Sequence, residues 1–232
     1  TLSGKYFRGI LLEKGLFGKN LDATFLWGRD RSSYGYVVPN SFTKQDFFIK
    51  GGRLNLFPEG KHQYAFNYTE GSGSDRPSYL KNRVMSVETF HDFGNMDFSA
   101  EVAKGDKDYA RTVGSTFTLN PDTEFSVNLR DIDKDYATVA TSLSGQGEAG
   151  SILSFLWHPE DFSVDSTIDI YRNRFSFNPN DESAVNYDWS TTLRKTLSNL
   201  SWLSTSLYYS DTPGMVAPHK DFRIYNTYAK NF

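Results

Sequence analysis

The final residues, Phe222 to Phe232, read FRIYNTYAKNF. Phe222, Ile224, Tyr228 and Phe232 all fall on even positions, so in an extended chain they share one face, and Arg223 and Tyr225 fall on the other. Soluble domains usually end in frayed polar tails. An alternating strand that carries large apolar side chains to its last residue needs something outside the strand to cover that face.

The same period of two recurs upstream. Leu21, Ala23, Phe25 and Trp27 alternate, as do Tyr64, Phe66 and Tyr68, and then Met96, Phe98, Ala100 and Val102. Further runs are Phe125, Val127 and Leu129; Leu153, Phe155 and Trp157; Phe162, Val164, Ile168 and Ile170; Tyr187, Trp189 and Leu193; and Leu203, Leu207 and Tyr209. No stretch holds a period of 3.6 for three turns, so helix is at most a minor component. Between the apolar positions stand Asp22, Thr24, Gln63, Asn67, Asp97, Glu101, Asn128, Arg130, Asp165 and Asp169. One apolar and one polar face also describes a half-buried sheet in water, so the connections have to decide.

The connections alternate between short and long. PEGK at Pro58–Lys61, DFGN at Asp92–Asn95, NPDT at Asn120–Thr123 and HPED at His158–Asp161 have tight-hairpin chemistry, as do LFGKN near Gly18 and TLSN at Thr196–Asn199. Between them run long polar stretches such as RDRSSYGYVVPNSFTKQ after Trp27 and DIDKDYATVATSLSGQGEAG after Arg130. In an up-and-down meander, all short turns then lie at one end and all long loops at the other. The runs predict strands over Gly4–Lys14, Leu21–Gly28, Phe47–Phe57, Gln63–Thr69, Val84–Phe90, Met96–Ala103 and Thr112–Leu119. They continue over Glu124–Arg130, Ser151–Trp157, Phe162–Tyr171, Tyr187–Arg194, Leu200–Tyr209 and Phe222–Phe232.

Composition agrees. Only 38% of the 232 residues are hydrophobic, yet 16% are aromatic, with 19 Phe and 14 Tyr, a balance nearer to interfacial aromatic girdles than to an aliphatic soluble core. A net charge of -3 offers no basic field for nucleic acid. Without cysteine there is neither a disulfide framework nor a thiolate metal site. No apolar run reaches the roughly 18 residues of a membrane-spanning helix, and TLSGKYFRG at the start carries no signal-peptide pattern.

Period, connections and the closing Phe232 resemble those of Gram-negative outer-membrane β-barrel proteins. The resemblance covers the chain at the level of fold. It implies an all-β, antiparallel up-and-down transmembrane barrel of about 12 to 14 strands, formed by residues 1–232 as one domain. It also implies residence in the bacterial outer membrane amid its lipid, and insertion by machinery that reads Phe222, Ile224, Tyr228 and Phe232. Thirteen predicted strands conflict with the even number that closes such barrels. Either one strand is miscounted or the chain is the C-terminal part of a larger barrel, and the second is favoured. The competing fold is a soluble antiparallel sandwich or closed barrel with the aromatics in a shared core.

Function is expected in the lumen. The inward face is predicted to carry Asp22, Thr24, Arg53, Asn55, Gln63, Asn67, Glu88, Asp97, Glu101, Asn128, Arg130, Asp165, Asp169, Asp188, Arg194, Arg223 and Tyr225. Acids outnumber bases among them, which favours cations or neutral polar solutes over anions; the bland reading is that they pair and only stabilise the wall. His62 and His158 fall at short turns, His91 just before one and His219 in a long loop, placements that do not predict a metal site or a catalytic relay. DIDKDY, Asp131–Tyr136, lacks the glycine and glutamate of a calcium loop. No phosphate loop, zinc motif or serine elbow occurs, and no cofactor or metal is expected. The expected function is an outer-membrane channel or translocation pore for small hydrophilic solutes, or the barrel of a larger transport or secretion protein carrying an exported cargo. An oligomer is left open. The alternatives are a binding or adhesion barrel acting through loops Arg29–Gln45 and Asp131–Gly150, and a barrel enzyme, the less favoured of the two.

Overall fold

Alternation with tight turns builds strands that pair with their sequence neighbours, and a computed structural model shows that arrangement. It describes residues 7–30, 48–72, 83–134, 136, 147–173, 184–198, 201–213 and 218–230. The strands are β1 (Phe7–Leu16), β2 (Leu21–Asp30), β3 (Phe48–Leu56), β4 (His62–Ser72), β5 (Arg83–Asp92), β6 (Met96–Lys104) and β7 (Tyr109–Asn120). They continue as β8 (Thr123–Ile132), β9 (Glu148–Trp157), β10 (Phe162–Asn173), β11 (Val185–Ser198), β12 (Ser201–Asp211) and β13 (Lys220–Lys230). All thirteen lie in one sheet in sequence order. The ladders joining β1 to β5 and β8 to β13 are antiparallel, and there is no helix among the described residues. That order leaves β1 and β13 as the end strands, with no ladder joining them among the described residues.

Each predicted strand has its counterpart, and the differences lie at the ends. β4 extends to Ser72, β9 starts at Glu148 and β10 runs to Asn173. Backbone ladders continue past the apolar stretch because their hydrogen bonds do not depend on side-chain polarity. β11 runs through most of the predicted TLSN turn, its register shifting between Thr196 and Ser198.

The short turns close with local devices. Gly18 (φ 73) and Gly94 (φ 91) take the left-handed conformation, and Asp92 Oδ1 accepts the Gly94 N–H at 2.6 Å. Asn120 Oδ1 accepts the Asp122 N–H at 3.0 Å. Phe17 and Phe57 hold φ 53 without being glycine, a strained conformation for an aromatic residue. The Phe57 N–H donates to Asn20 O at 2.8 Å, which holds the second of these in place.

The described residues form two compact units. One comprises the described residues that fall within 1–91, 101–111 and 135–146, and the other those within 92–100, 112–134 and 147–232.

Candidate functional site

Register assigns every side chain to one of two faces. In the first unit Phe25 lies opposite Gly52, Gly52 opposite Tyr68, and Phe66 opposite both Leu54 and Val87. This apolar face is the open one: Phe25, Leu54, Phe66 and Val87 are 49%, 47%, 48% and 50% exposed although they sit in mid-strand. A shallow concavity of about 750 Å³ lies on it over Gly51 and Gly52. Gly51 accepts no Cβ cheaply, since one there would stand 2.6 Å from Tyr68 O, whereas at Gly52 the nearest atom, Thr24 O, is 3.3 Å away. The second unit repeats the pattern. Phe155, Trp157, Leu203, Phe222, Ile224 and Tyr228 are exposed, whereas the fully buried side chains include Asn186 and Thr212.

The polar face is knit together. Thr24, Arg53, Asn67 and Ser86 lie in one row across β2 to β5. Arg53 Nη2 meets Glu88 Oε2 at 2.9 Å, Arg53 Nη1 donates to Asn67 Oδ1 at 3.0 Å, and Asn67 donates to Ser86 and Glu88. Tyr136, between β8 and β9, is 3% exposed; burial pushes its phenol up to about 12, and the Glu101 charge adds to the shift.

In the second unit Arg130 on β8 reaches across two strands. Its Nη2 meets Asp169 Oδ1 and Oδ2 at 2.9 and 3.0 Å, and its Nε donates to Glu148 Oε2 at 3.0 Å. Gly150, opposite both Arg130 and Tyr171, leaves the guanidinium room to lie 5.4 Å from the Tyr171 ring. A Cβ at Gly150 would fall 2.3 Å from Ile170 O and 2.6 Å from Tyr171 Cβ. Arg130 Nη1 is buried with no hydrogen-bond partner among the described residues.

Beyond Asp169 the wall continues to Asp188, its partner in register, then Ser210 and Asp221. Asp188 accepts from Ser210 Oγ at 2.6 Å and from the Tyr171 hydroxyl at 3.1 Å. His219 stands by, with Nε2 3.2 Å from Ser210 Oγ and Nδ1 2.8 Å from Thr212 Oγ1. The Ser210 proton is directed at Asp188, so the imidazole is not set up as its base. A cavity of about 700 Å³ opens here, lined among others by Asp169, Asp188, Tyr208, Ser210, Arg223 and Tyr225.

The remaining predicted positions fall on the same polar face. Asp22 lies opposite Asn55, and Gln63 follows the parity of Ala65 and Asn67. A Cβ at Gly114 would meet Ser99 Oγ at 2.9 Å and Asn128 Nδ2 at 3.8 Å, so Asp97 and Glu101 share a face with Asn128. Asp165 pairs with His158, and Arg194 lies 4.5 Å from the Trp202 ring. Among the predicted residues the structure brings together Arg53 with Glu88 and Arg130 with Asp169, and sets Asp169, Asp188, Arg223 and Tyr225 on one cavity. Asp22, Asp97, Asp165 and Arg194 stand apart from those groupings. Phe222, Ile224 and Tyr228 lie on the apolar face of β13; Phe232 and most of loops Arg29–Gln45 and Asp131–Gly150 fall outside the described residues.

Several participants escaped the sequence reading. Glu148 and Gly150 read as loop in the sequence but belong to the β9 ladder. Tyr208, Ser210 and Trp202 stand at even positions of β12 opposite the predicted apolar residues, so parity alone could have found them. His62 and His91 are register partners with their Nδ1 atoms 3.0 Å apart, a meeting that strand pairing creates and chain separation conceals. Among the described residues no group of three or more metal-ligating side chains forms.

No family model matches the chain, and no curated protein matches it. Among solved structures, a NanC porin in a rhombohedral crystal form aligns over 80% of this chain and 94% of its own, at 8% identity and a TM-score of 0.38.

Proposed function

We propose that the chain is a β-barrel of the bacterial outer membrane that passes small hydrophilic solutes through a polar lumen. The observation that carries this reading is the inverted burial. Phe25, Leu54, Phe66 and Val87 stand open on one face, while Arg53, Asn67 and Glu88 are knit together on the other. In water such a sheet would leave large apolar side chains facing solvent in strand after strand from β1 to β9 and again in β11 to β13, an arrangement soluble proteins avoid. In a bilayer the same face meets hydrocarbon and the polar face encloses water. Lipid is then the partner of the outward face, and the insertion machinery would read Phe222, Ile224, Tyr228 and Phe232. The excess of carboxylates on the polar face favours cationic and neutral solutes over anions. No cofactor or metal takes part, and the protein is a passive channel rather than an enzyme.

The test is heat-modifiability on a detergent gel after refolding, followed by single-channel recording from the folded band. A heat-shifted band that conducts supports the proposal. A chain that stays monodisperse without detergent and shows no shift overturns the membrane reading, and a shifted band without conductance overturns the channel.

A further inference from the structure

We infer that the cavity on the polar face of β10 to β13 is a subsite for a small organic cation bearing hydroxyl groups, in chemical class an amino sugar or amino polyol. The inference rests on the reading of this face as a channel wall.

Three carboxylates line the cavity, and their partners differ. Asp169 is bound by Arg130, which grips both of its oxygens and is shared with Glu148, and Asp221 is bound by Arg223 Nε. Asp188 receives only neutral donors, the hydroxyls of Ser210 and Tyr171, and has no cationic partner among the described residues. Arg223, the guanidinium on the wall, is already spent on Asp221. Two hydroxyl donors fix the Asp188 carboxylate without cancelling its charge, so a cation entering the cavity meets an oriented anion that has no cationic partner of its own.

The second feature is aromatic. Tyr208 and Tyr225 form an edge-to-face pair with ring centroids 5.6 Å apart, 44% and 51% exposed on the polar face. Open rings on a polar wall offer a platform for the C–H face of a sugar and an electron-rich surface for a cation. Ser190, Ser206 and Thr167 add hydroxyls that donate to or accept from those of a polyol. The volume of about 700 Å³ is in the range of small-molecule sites. Charge from Asp188, a platform from Tyr208 and Tyr225 and hydrogen bonds from serines together select a hydroxylated cation over a bare metal ion or an anion.

The test uses the refolded full chain in detergent, titrated calorimetrically at neutral pH, which keeps His219 on the same cavity from adding a competing charge, with glucosamine, glucose and glucuronate, three sugars of one size and different charge. Glucosamine is expected to bind about tenfold more tightly than glucose, the scale of one partly screened ion pair, with glucuronate weakest. Asp188→Asn should erase the preference for glucosamine over glucose, and Tyr225→Ala should weaken both sugars together. Equal binding of the three sugars by the unaltered protein, or an unchanged order in a folded Asp188→Asn variant, overturns the subsite. If Asp188→Asn does not fold, the order shown by the unaltered protein and the Tyr225→Ala result decide alone. Binding in detergent requires no conduction, so liposome swelling separates the two claims. Swelling without sugar preference overturns the subsite only; preference without swelling overturns the channel and leaves the subsite standing.

Discussion

At the scale of single residues, Arg130 decides how the polar face of the second unit is held. Its side chain is 9% exposed and bridges Glu148 and Asp169, which are themselves largely covered. Removing the guanidinium leaves two carboxylates facing each other, so Arg130→Met is expected to cost about 3–5 kcal/mol in denaturant unfolding of the refolded protein. Adding Glu148→Gln and Asp169→Asn should recover most of that loss, because it removes the charges left unpaired. Gly150→Ala is expected to cost about 1–3 kcal/mol by overpacking, since its Cβ would meet the Ile170 carbonyl and the Tyr171 backbone. The same denaturation midpoint checks it, with Gly52→Ala as the milder control because its nearest neighbour, Thr24 O, lies 3.3 Å away. Parity in the sequence placed Arg130 and Asp169 on one face. It did not join them, because they stand 39 residues apart and meet only through the registers of β8, β9 and β10.

At the scale of elements, the alternation made all thirteen strands legible, because a strand with one apolar and one polar face writes its period into the sequence. Where the side chains stop alternating, the reading fails. β9 carries Ile152 and Leu156 on its polar face, and Glu148 to Gly150 read as loop although the ladder includes them. Parity also settles Trp202: it stacks with Arg194 on the polar face, whereas Trp157 stands on the apolar one. The same parity makes the membrane reading testable strand by strand. Phe66→Arg and Val87→Arg, at open mid-strand positions, should each destabilise the protein in bilayers by about 2–4 kcal/mol if that face meets hydrocarbon. On a water-facing surface the same changes would stay within about 0.5 kcal/mol. Urea unfolding in lipid vesicles distinguishes the two.

At the scale of the whole molecule, the sheet has two ends, β1 and β13, and two faces of opposite character. The ends are not what the sequence pattern describes, since alternation records the face of each residue and carries no information on which strands pair at a closure. The faces are, and the lack of any native cysteine allows them to be mapped one position at a time. Single cysteines at Asn67, Thr167 and Ser206, on the polar face, are expected to react with a charged, membrane-impermeant maleimide in protein-loaded vesicles. Cysteines at the neighbouring Phe66, Ile168 and Leu207 should be at least about tenfold slower, because a thiol in hydrocarbon is neither ionised nor reached by the reagent. Alternating reactivity along β4, β10 and β12 would place water on one side of the sheet and lipid on the other in both units. Uniformly fast reaction would show water on both faces and remove the membrane from the account. Uniformly slow reaction would mean that the polar face is sealed by packing, and the carboxylates of Asp169 and Asp188 would then brace a closed wall instead of meeting a solute.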